Sequence, residues 1–95
     1  MTDSARYLVA YDISDNRERY QVDKLLQGFG FRRQKSVFEC RLTLSMLGRL
    51  RGALTELALA TGFVLIERLA QDSQRIAFGA ASPASFSDDG FAFVA

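Results

Sequence analysis

The order of apolar patterns along this chain of 95 residues constrains its fold more than any single motif does. The run from Arg6 to Asp12 (RYLVAYD) is rich in aromatic and branched residues and predicts a strand. Apolar residues at helical spacing then predict two helices, the first through Val22, Leu25, Leu26 and Phe29, the second through Leu47, Leu50, Leu54 and Leu57. Alternating or apolar runs predict further strands at 31–34, 37–43, 63–69 and 74–79.

Capping and turn residues separate these elements. Asp15 and Glu18 form an approximate capping box before the first helix, which Gly28 and Gly30 end. We expect Ser45 to cap the second helix, over about 46–60, and Gly62 to end it.

The resulting order, β-α-β-β-α-β, is typical of the ferredoxin-like α+β fold with an antiparallel sheet. Right-handed crossovers place both helices on one face of the sheet, and a second copy of the chain is the simplest cover for the other face. We assign residues 1–80 to the ferredoxin-like domain and 81–95 to a small, polar connector with an apolar tail at 91–95. Such a tail usually docks on another surface.

Missing residue types exclude several kinds of chemistry. The chain has no His, so Ser-His-Asp and Cys-His catalysis are excluded, and its one Cys rules out an internal disulfide and a zinc site. A reducing, cytoplasmic location fits best, and no segment resembles a signal peptide or a membrane span. Catalysis would need carboxylates, Arg, Lys, Tyr or Ser, together with a metal held by oxygen.

Charge is distributed unevenly. Residues 1–51 carry ten basic and six acidic groups, whereas residues 52–95 carry two basic and five acidic groups. The basic half could present a positive face to phosphate, and a solvated surface explains the same charges.

Two short runs carry a resemblance to a known family. One is Tyr11-Asp12-Ile13-Ser14 at the end of the first strand, and the other is QKSVFEC at 34–40. Together with the order of elements through FVLIERL (63–69) and RIAFG (75–79), they resemble the small CRISPR-associated adaptation proteins of the Cas2 family. The resemblance covers nearly the whole chain.

The resemblance implies a homodimer in which an extra C-terminal strand of each protomer pairs with the sheet of its partner. It further implies that the dimer binds duplex DNA and bridges dimers of the CRISPR integrase subunit during spacer acquisition. Some members also cut RNA or double-stranded DNA with magnesium, whereas in others that activity is absent.

Asp12 is the candidate ligand for Mg²⁺. A carboxylate at the end of a central strand can project into a crevice, and Mg²⁺ needs only one or two carboxylates beside its waters and a substrate phosphate. A two-fold axis near Asp12 would supply the second. Turn-amide capping by Asp12 is the alternative from the residues alone. The resemblance places Tyr11 beside the acidic site in a catalytic, supporting role.

Five cations are candidates for contact with nucleic acid: Arg17, Arg19, Arg32, Arg33 and Lys35. Phosphate contact explains their grouping, and solvation or protection of an exposed sheet edge explains it as well. Ser36 is expected to shape the bend, and Phe38 to lie in the core or the dimer interface, although the family pattern gives it a functional place. Cys40 is expected to be a small buried hydrophobe.

Three other functions are open from the sequence. The protein could be an integration scaffold without catalysis, or an autonomous metal-dependent endoribonuclease or endodeoxyribonuclease of toxin type. A ferredoxin-like RNA-binding module is weaker, because the sheet lacks the aromatic signature that stacks bases.

Overall fold

The computed structural model describes residues 3–78 and 91–94. Its elements are β1 (Ser4–Ile13), α1 (Asn16–Gln27), β2 (Gly30–Gln34), β3 (Val37–Thr43), α2 (Leu44–Leu57), β4 (Gly62–Arg68), β5 (Arg75–Phe78) and β6 (Phe91–Val94). The first four strands form an antiparallel sheet in the order β2-β3-β1-β4. The predicted ferredoxin-like α+β fold is confirmed.

The core lies between the two helices and one face of this sheet. Alternate residues of the two central strands point into it, because successive side chains of a strand leave on opposite faces. Its fully or nearly buried members are Tyr7, Val9, Tyr11 and Ile13 of β1, Phe38, Cys40 and Leu42 of β3, and Val22, Leu26 and Leu50 of the helices.

The caps of α2 differ from the prediction. Thr43, not Ser45, is the N-cap, and its hydroxyl accepts a hydrogen bond from the N–H of Met46 at 3.2 Å. The helix ends at Leu57, before Ala58 takes a left-handed conformation with φ 49°. Gly62 therefore does not end the helix and is instead the first residue of β4.

The second face of the sheet carries large apolar side chains that solvent reaches. Phe31, Phe63 and Leu65 are 49%, 58% and 56% exposed. The register places Phe63 opposite Asp12 and Leu65 opposite Ala10. The open face therefore includes those residues of β1 whose side chains point away from the core. The prediction that both helices cover one face of the sheet and leave the other face uncovered is confirmed for the single protomer.

The C-terminal strands lie apart from this sheet. β5 and β6 pair in parallel as a two-stranded sheet, with Arg75 opposite Phe91. Pairing of a late strand with a partner protomer stays a prediction, and the predicted connector lies largely outside the described residues. Among the helices in the described ranges, none is long and apolar enough to cross a membrane.

Candidate functional site

Asp12 lies near the end of β1 on the open face of the sheet. Its side chain is exposed, and Phe63 of β4 is its neighbour across the ladder. No hydrogen bond or ion pair joins its carboxylate to another of the described residues. The structure therefore does not support the interpretation of Asp12 as a cap for turn amides, and it leaves the carboxylate available for a ligand.

Asp15 and Ser14 supply the turn contacts instead. The Asp15 carboxylate accepts a hydrogen bond from the N–H of Glu18 at 2.9 Å and caps α1. The N–H and the hydroxyl of Ser14 both donate to the carbonyl of Thr61, at 3.2 and 3.3 Å. The capping box is only half formed, because Asp15 donates its own N–H to the Thr61 hydroxyl.

Glu18 fixes the loop that precedes β4. Its carboxylate accepts hydrogen bonds from the N–H groups of Ala60 and Thr61, at 2.8 and 3.0 Å, and from the Thr61 hydroxyl. These bonds lower the pKa of Glu18, with the hydroxyl contributing most. Next to them, a Cβ on Gly62 would lie 1.9 Å from the carbonyl oxygen of Asp12, so only glycine permits this approach. The loop and the strand that carries Asp12 are thus held together.

Tyr11 leaves β1 on the core side, opposite to Asp12. Its hydroxyl donates to the carboxylate of Asp23 and lies 3.2 Å from the carbonyl oxygen of Lys35. Burial and the adjacent Asp23 raise the pKa of this phenol. Because the hydroxyl is engaged by Asp23, the geometry favours a positioning role for Tyr11, which also borders the cavity next to Asp12. The catalytic role of Tyr11 stays a prediction.

Arg32 completes the same network. Its guanidinium pairs with Asp23 at 2.7 Å, donates to the carbonyl of Lys35 at 2.6 Å and lies 5.0 Å from the ring centre of Phe38. Asp23, on α1, thereby ties the turn between β2 and β3 to the helix. Sequence reasoning did not identify Asp23, because its partners are distant along the chain.

Arg33 does not lie on the exposed edge that the sequence predicts for it. It is 4% exposed, and its guanidinium pairs with the buried carboxylate of Glu39 at 2.9 Å. A phosphate contact by Arg33 would require this buried pair to open. The edge cluster predicted from Arg32, Arg33 and Lys35 is therefore corrected, because two of its guanidinium groups hold the sheet and the turn.

Four of the predicted cations are exposed, and three of these have no side-chain partner among the described residues. Arg17, Arg19 and Lys35 show no side-chain hydrogen bond or ion pair to any residue in the described part of the chain. Arg19 and Lys35 also border a cavity of about 570 Å³ next to Asp12. The other residues lining it are Tyr11, Asp12, Ile13, Tyr20, Asp23 and Ser36.

The remaining predicted residues have structural places. The backbone carbonyl of Ser36 accepts the N–H of Tyr11 at 3.0 Å and joins the bend to β1, and the role predicted for Ser36 in shaping the bend stays a prediction. Phe38 is fully buried in the core. Burial raises the pKa of the Cys40 thiol to about 11, in agreement with its interpretation as a buried hydrophobe.

One protomer offers Asp12 as a single carboxylate for a metal ion. No group of three or more His, Cys, Asp or Glu side chains that could hold a metal occurs among residues 3–78 and 91–94. The unpartnered carboxylate fits Mg²⁺, which keeps several waters and shares its site with substrate phosphate. One carboxylate suits a site in which waters and a substrate phosphate supply the other ligands of the ion, and it does not suit a site made of protein ligands alone.

Comparisons with known proteins agree with this fold. The family model described as CRISPR associated protein Cas2 matches residues 5–76. The chain is 52% identical over 50 residues to a CRISPR-associated endoribonuclease Cas2 of Thermus thermophilus, covering 53% of each protein. It is 56% identical over 43 residues to one of Mycobacterium tuberculosis, covering 45% of this chain and 38% of that protein. The chain spans about half the length of the curated relatives it matches, or less.

Solved structures are similar over a longer stretch. A hypothetical protein of Thermus thermophilus superposes with a TM-score of 0.69 and 36% identity, covering 75% of this chain and 88% of the other. A crystal structure described as cas2 gives a TM-score of 0.64 and 32% identity, covering 70% and 75%.

Proposed function

The chain belongs to the Cas2 family of CRISPR-associated proteins, and from that premise we propose that it is a homodimeric, magnesium-dependent endonuclease. The observation that carries the proposal is the exposed carboxylate of Asp12, which no described residue engages, beside a cavity bordered by Arg19 and Lys35. Relatives named endoribonuclease or endonuclease support the choice of reaction.

The residues around Asp12 would have separate roles in binding a phosphodiester. Asp12 would hold the ion, and bound Mg²⁺ supplies polarisation of the phosphate and activation of water. Arg19 and Lys35, together with Arg17, attract the nucleic-acid backbone, because exposed cations contact phosphate without reading sequence. Tyr11 and Arg32 hold the turn that carries Lys35 in place.

A dimer makes the site more complete. The open face presents Phe31, Phe63 and Leu65 at about half exposure, and a second sheet is the cover of matching size and chemistry. A two-fold axis near Asp12 would bring two carboxylates together, which is the number that Mg²⁺ commonly takes from protein. The exposed Ile76 and Phe78 of β5 also favour docking on a partner, because an isolated two-stranded sheet is marginally stable.

Replacement of Asp12 tests the nuclease. We expect Asp12→Asn to lower magnesium-dependent cleavage of single-stranded RNA or duplex DNA by about 100-fold or more, since a metal supplies several kcal/mol of transition-state stabilisation. The matched control is Asp72→Asn, which removes an exposed carboxylate from the turn after β4. Cleavage by Asp12→Asn at the rate of the Asp72→Asn control would show that Asp12 does not hold the ion.

A second candidate function is a scaffold in spacer acquisition, in which the dimer binds duplex DNA and bridges dimers of a CRISPR integrase. Among the described residues that line the cavity, Asp12 is the one carboxylate without a partner, and this favours the scaffold, because binding along a DNA backbone needs no metal cluster. The discriminating experiment mixes the protein, the integrase from the same locus and duplex DNA. If Asp12→Asn assembles and supports integration as wild type does while cleavage is undetectable in both, the scaffold is the function.

A further inference from the structure

Tyr20 is the one tyrosine of the chain that the fold leaves at the surface. Tyr7 and Tyr11 are buried in the core, whereas Tyr20 on α1 is 63% exposed. It lies off the stripe of α1 that packs on the sheet, which includes Val22 and Leu26. Its hydroxyl makes no hydrogen bond to any residue in the described part of the chain. Neither core packing nor hydrogen bonding within the protomer therefore accounts for this ring.

Tyr20 borders the cavity of about 570 Å³ next to Asp12. This volume lies in the range of sites for small ligands, so the cavity has room for a whole nucleotide unit and not only for its phosphate. Asp12, Arg19 and Lys35 supply charges that suit an ion and a phosphate, but they offer nothing to a base. Tyr20 is the exposed aromatic side chain of the lining, because Tyr11 is buried.

Lys24 restricts the orientation of the Tyr20 ring. The two residues are four apart on α1, which is the spacing at which helical side chains meet. The Lys24 Nζ lies over the ring, 5.8 Å from its centre, where an ammonium group is attracted to the face of an aromatic ring. The ammonium covers one face, so the opposite face of the ring is the one available to another planar group.

We propose that Tyr20 is a specificity-determining residue, whose ring stacks on an unpaired base of the nucleotide that has its phosphate at Asp12. Every base has a flat aromatic face, so stacking on a side-chain ring binds a single strand without reading its sequence. A base within a duplex has both faces covered by its neighbours, and it must leave the stack before it can contact Tyr20. The inference rests on the proposed function and adds that this residue makes the site favour single strands over duplexes.

Binding of strands with and without bases tests the role of Tyr20. Wild type and Tyr20→Leu are titrated with a fluorescently labelled single strand of RNA, with the same strand carrying abasic sites in place of its bases, and with a duplex. Chelator is present throughout, so that cleavage cannot occur. We expect Tyr20→Leu to bind the base-bearing strand about tenfold more weakly than wild type does, because stacking on an aromatic ring contributes that much for one base. Its affinities for the abasic strand and the duplex should equal those of wild type.

Tyr20→Phe is the matched control, because it keeps the ring and removes only a hydroxyl that has no partner among residues 3–78 and 91–94. It should bind all three ligands as wild type does. Equal affinities of Tyr20→Leu and wild type for the base-bearing strand, or an equal loss on the abasic strand, overturn the inference. A loss in Tyr20→Phe as large as that in Tyr20→Leu also overturns it, in favour of a hydrogen bond from the hydroxyl.

Tyrosine emission reports the same contact directly. The chain has no Trp and three Tyr, and both Tyr7 and Tyr11 are buried, so the emission that iodide quenches comes from Tyr20. We expect the base-bearing strand to quench this emission and to protect the remainder from iodide, and the abasic strand to do neither. Emission that stays unchanged when the base-bearing strand saturates the protein overturns the inference.

Failure of the proposed function gives a different result in the same titrations. If wild type binds neither the single strands nor the duplex, the proposed function fails together with this inference. If wild type binds nucleic acid and Tyr20→Leu matches it on every ligand, only this inference fails. The slope of log Kobs against log salt should be the same in both proteins, because Tyr20→Leu removes no charge and releases no phosphate contact.

Discussion

Three aspartates on or near the first helix show how surroundings give one side chain different roles. Asp15 is bonded to the helix it caps, and Asp23 is shared between Tyr11 and Arg32. Asp12 has none of these partners among the described residues and faces solvent. A carboxylate that stabilises no local structure is the one available to bind a ligand.

Cys40 permits a direct test of the core at the scale of one residue. Its thiol is fully buried and has a pKa of about 11, so at pH 8 it carries about 100-fold fewer thiolates than a thiol at the ordinary value of 9.0. We expect iodoacetamide to label Cys40 at least about 100-fold more slowly in the native chain than in denaturant. Mass spectrometry of the modified fraction over time measures both rates, and equal rates would place Cys40 at the surface.

Residues whose roles depend on local sequence were predictable, and residues whose roles depend on register were not. Asp15 caps the first helix as its spacing from Glu18 indicates, whereas Ser14 bonds to the carbonyl of Thr61, far along the chain. Arg33 and Arg32 meet their acidic partners only after β2 and β3 pair and α1 packs beside them. The charge pattern therefore indicates a free basic edge where the fold has made two ion pairs.

At the scale of elements, the contact between α1 and the loop before β4 sets the environment of the Asp12 strand. One carboxylate, that of Glu18, binds three donors of that loop. Gly62 then lets β4 approach β1 at the level of Asp12. The first five strands were predictable to within about two residues from alternation, whereas the start of α2 was not, because Thr43 and Ser45 are both capping types and Ser is the commoner N-cap.

The Glu18 contact predicts a defined dependence of stability on pH. Its pKa is lowered in the folded chain, so its contribution is fully present above about pH 4.5, the ordinary value, and is lost as pH falls through the lowered pKa. We expect Glu18→Gln to have a Tm lower by a few degrees at pH 7. That difference from wild type should disappear on acidification.

Calorimetry across this pH range, with Glu56→Gln as control, measures the effect. Glu56 is an exposed carboxylate of α2 and has no partner among residues 3–78 and 91–94, so its replacement should leave Tm close to wild type at every pH. A difference between Glu18→Gln and wild type that stays constant down to strongly acidic pH would contradict the role given to the ionised carboxylate.

At the scale of the molecule, one protomer buries only one side of its sheet. A domain of this length buries a smaller share of its unfolded surface than larger domains do, about 60–65%. The open face then leaves several large apolar side chains in water, in a continuous arrangement set by the register of β1 with β4. That a face would be left open followed from the order of elements, but the position of Asp12 at its end followed only from the register.

A charge placed on the open face tests whether a second copy covers it. In a two-fold interface each substitution enters twice, and a buried, unpaired carboxylate is strongly unfavourable. We expect Leu65→Glu to weaken dimerisation by about 100-fold or more, because like charges brought together cost several kcal/mol. Sedimentation velocity over a range of concentrations should show a dimer for wild type and a monomer for this variant.

Leu44→Glu is the matched control, because Leu44 is a 78% exposed leucine at the start of α2. The same change there should leave the dimer intact, which separates the loss of an interface from a general effect of added negative charge. If Leu65→Glu dimerises as tightly as Leu44→Glu, the open face is not the interface between copies. The pairing of two Asp12 carboxylates across it would then be excluded, and each protomer would have to bind Mg²⁺ through one carboxylate and the substrate phosphate.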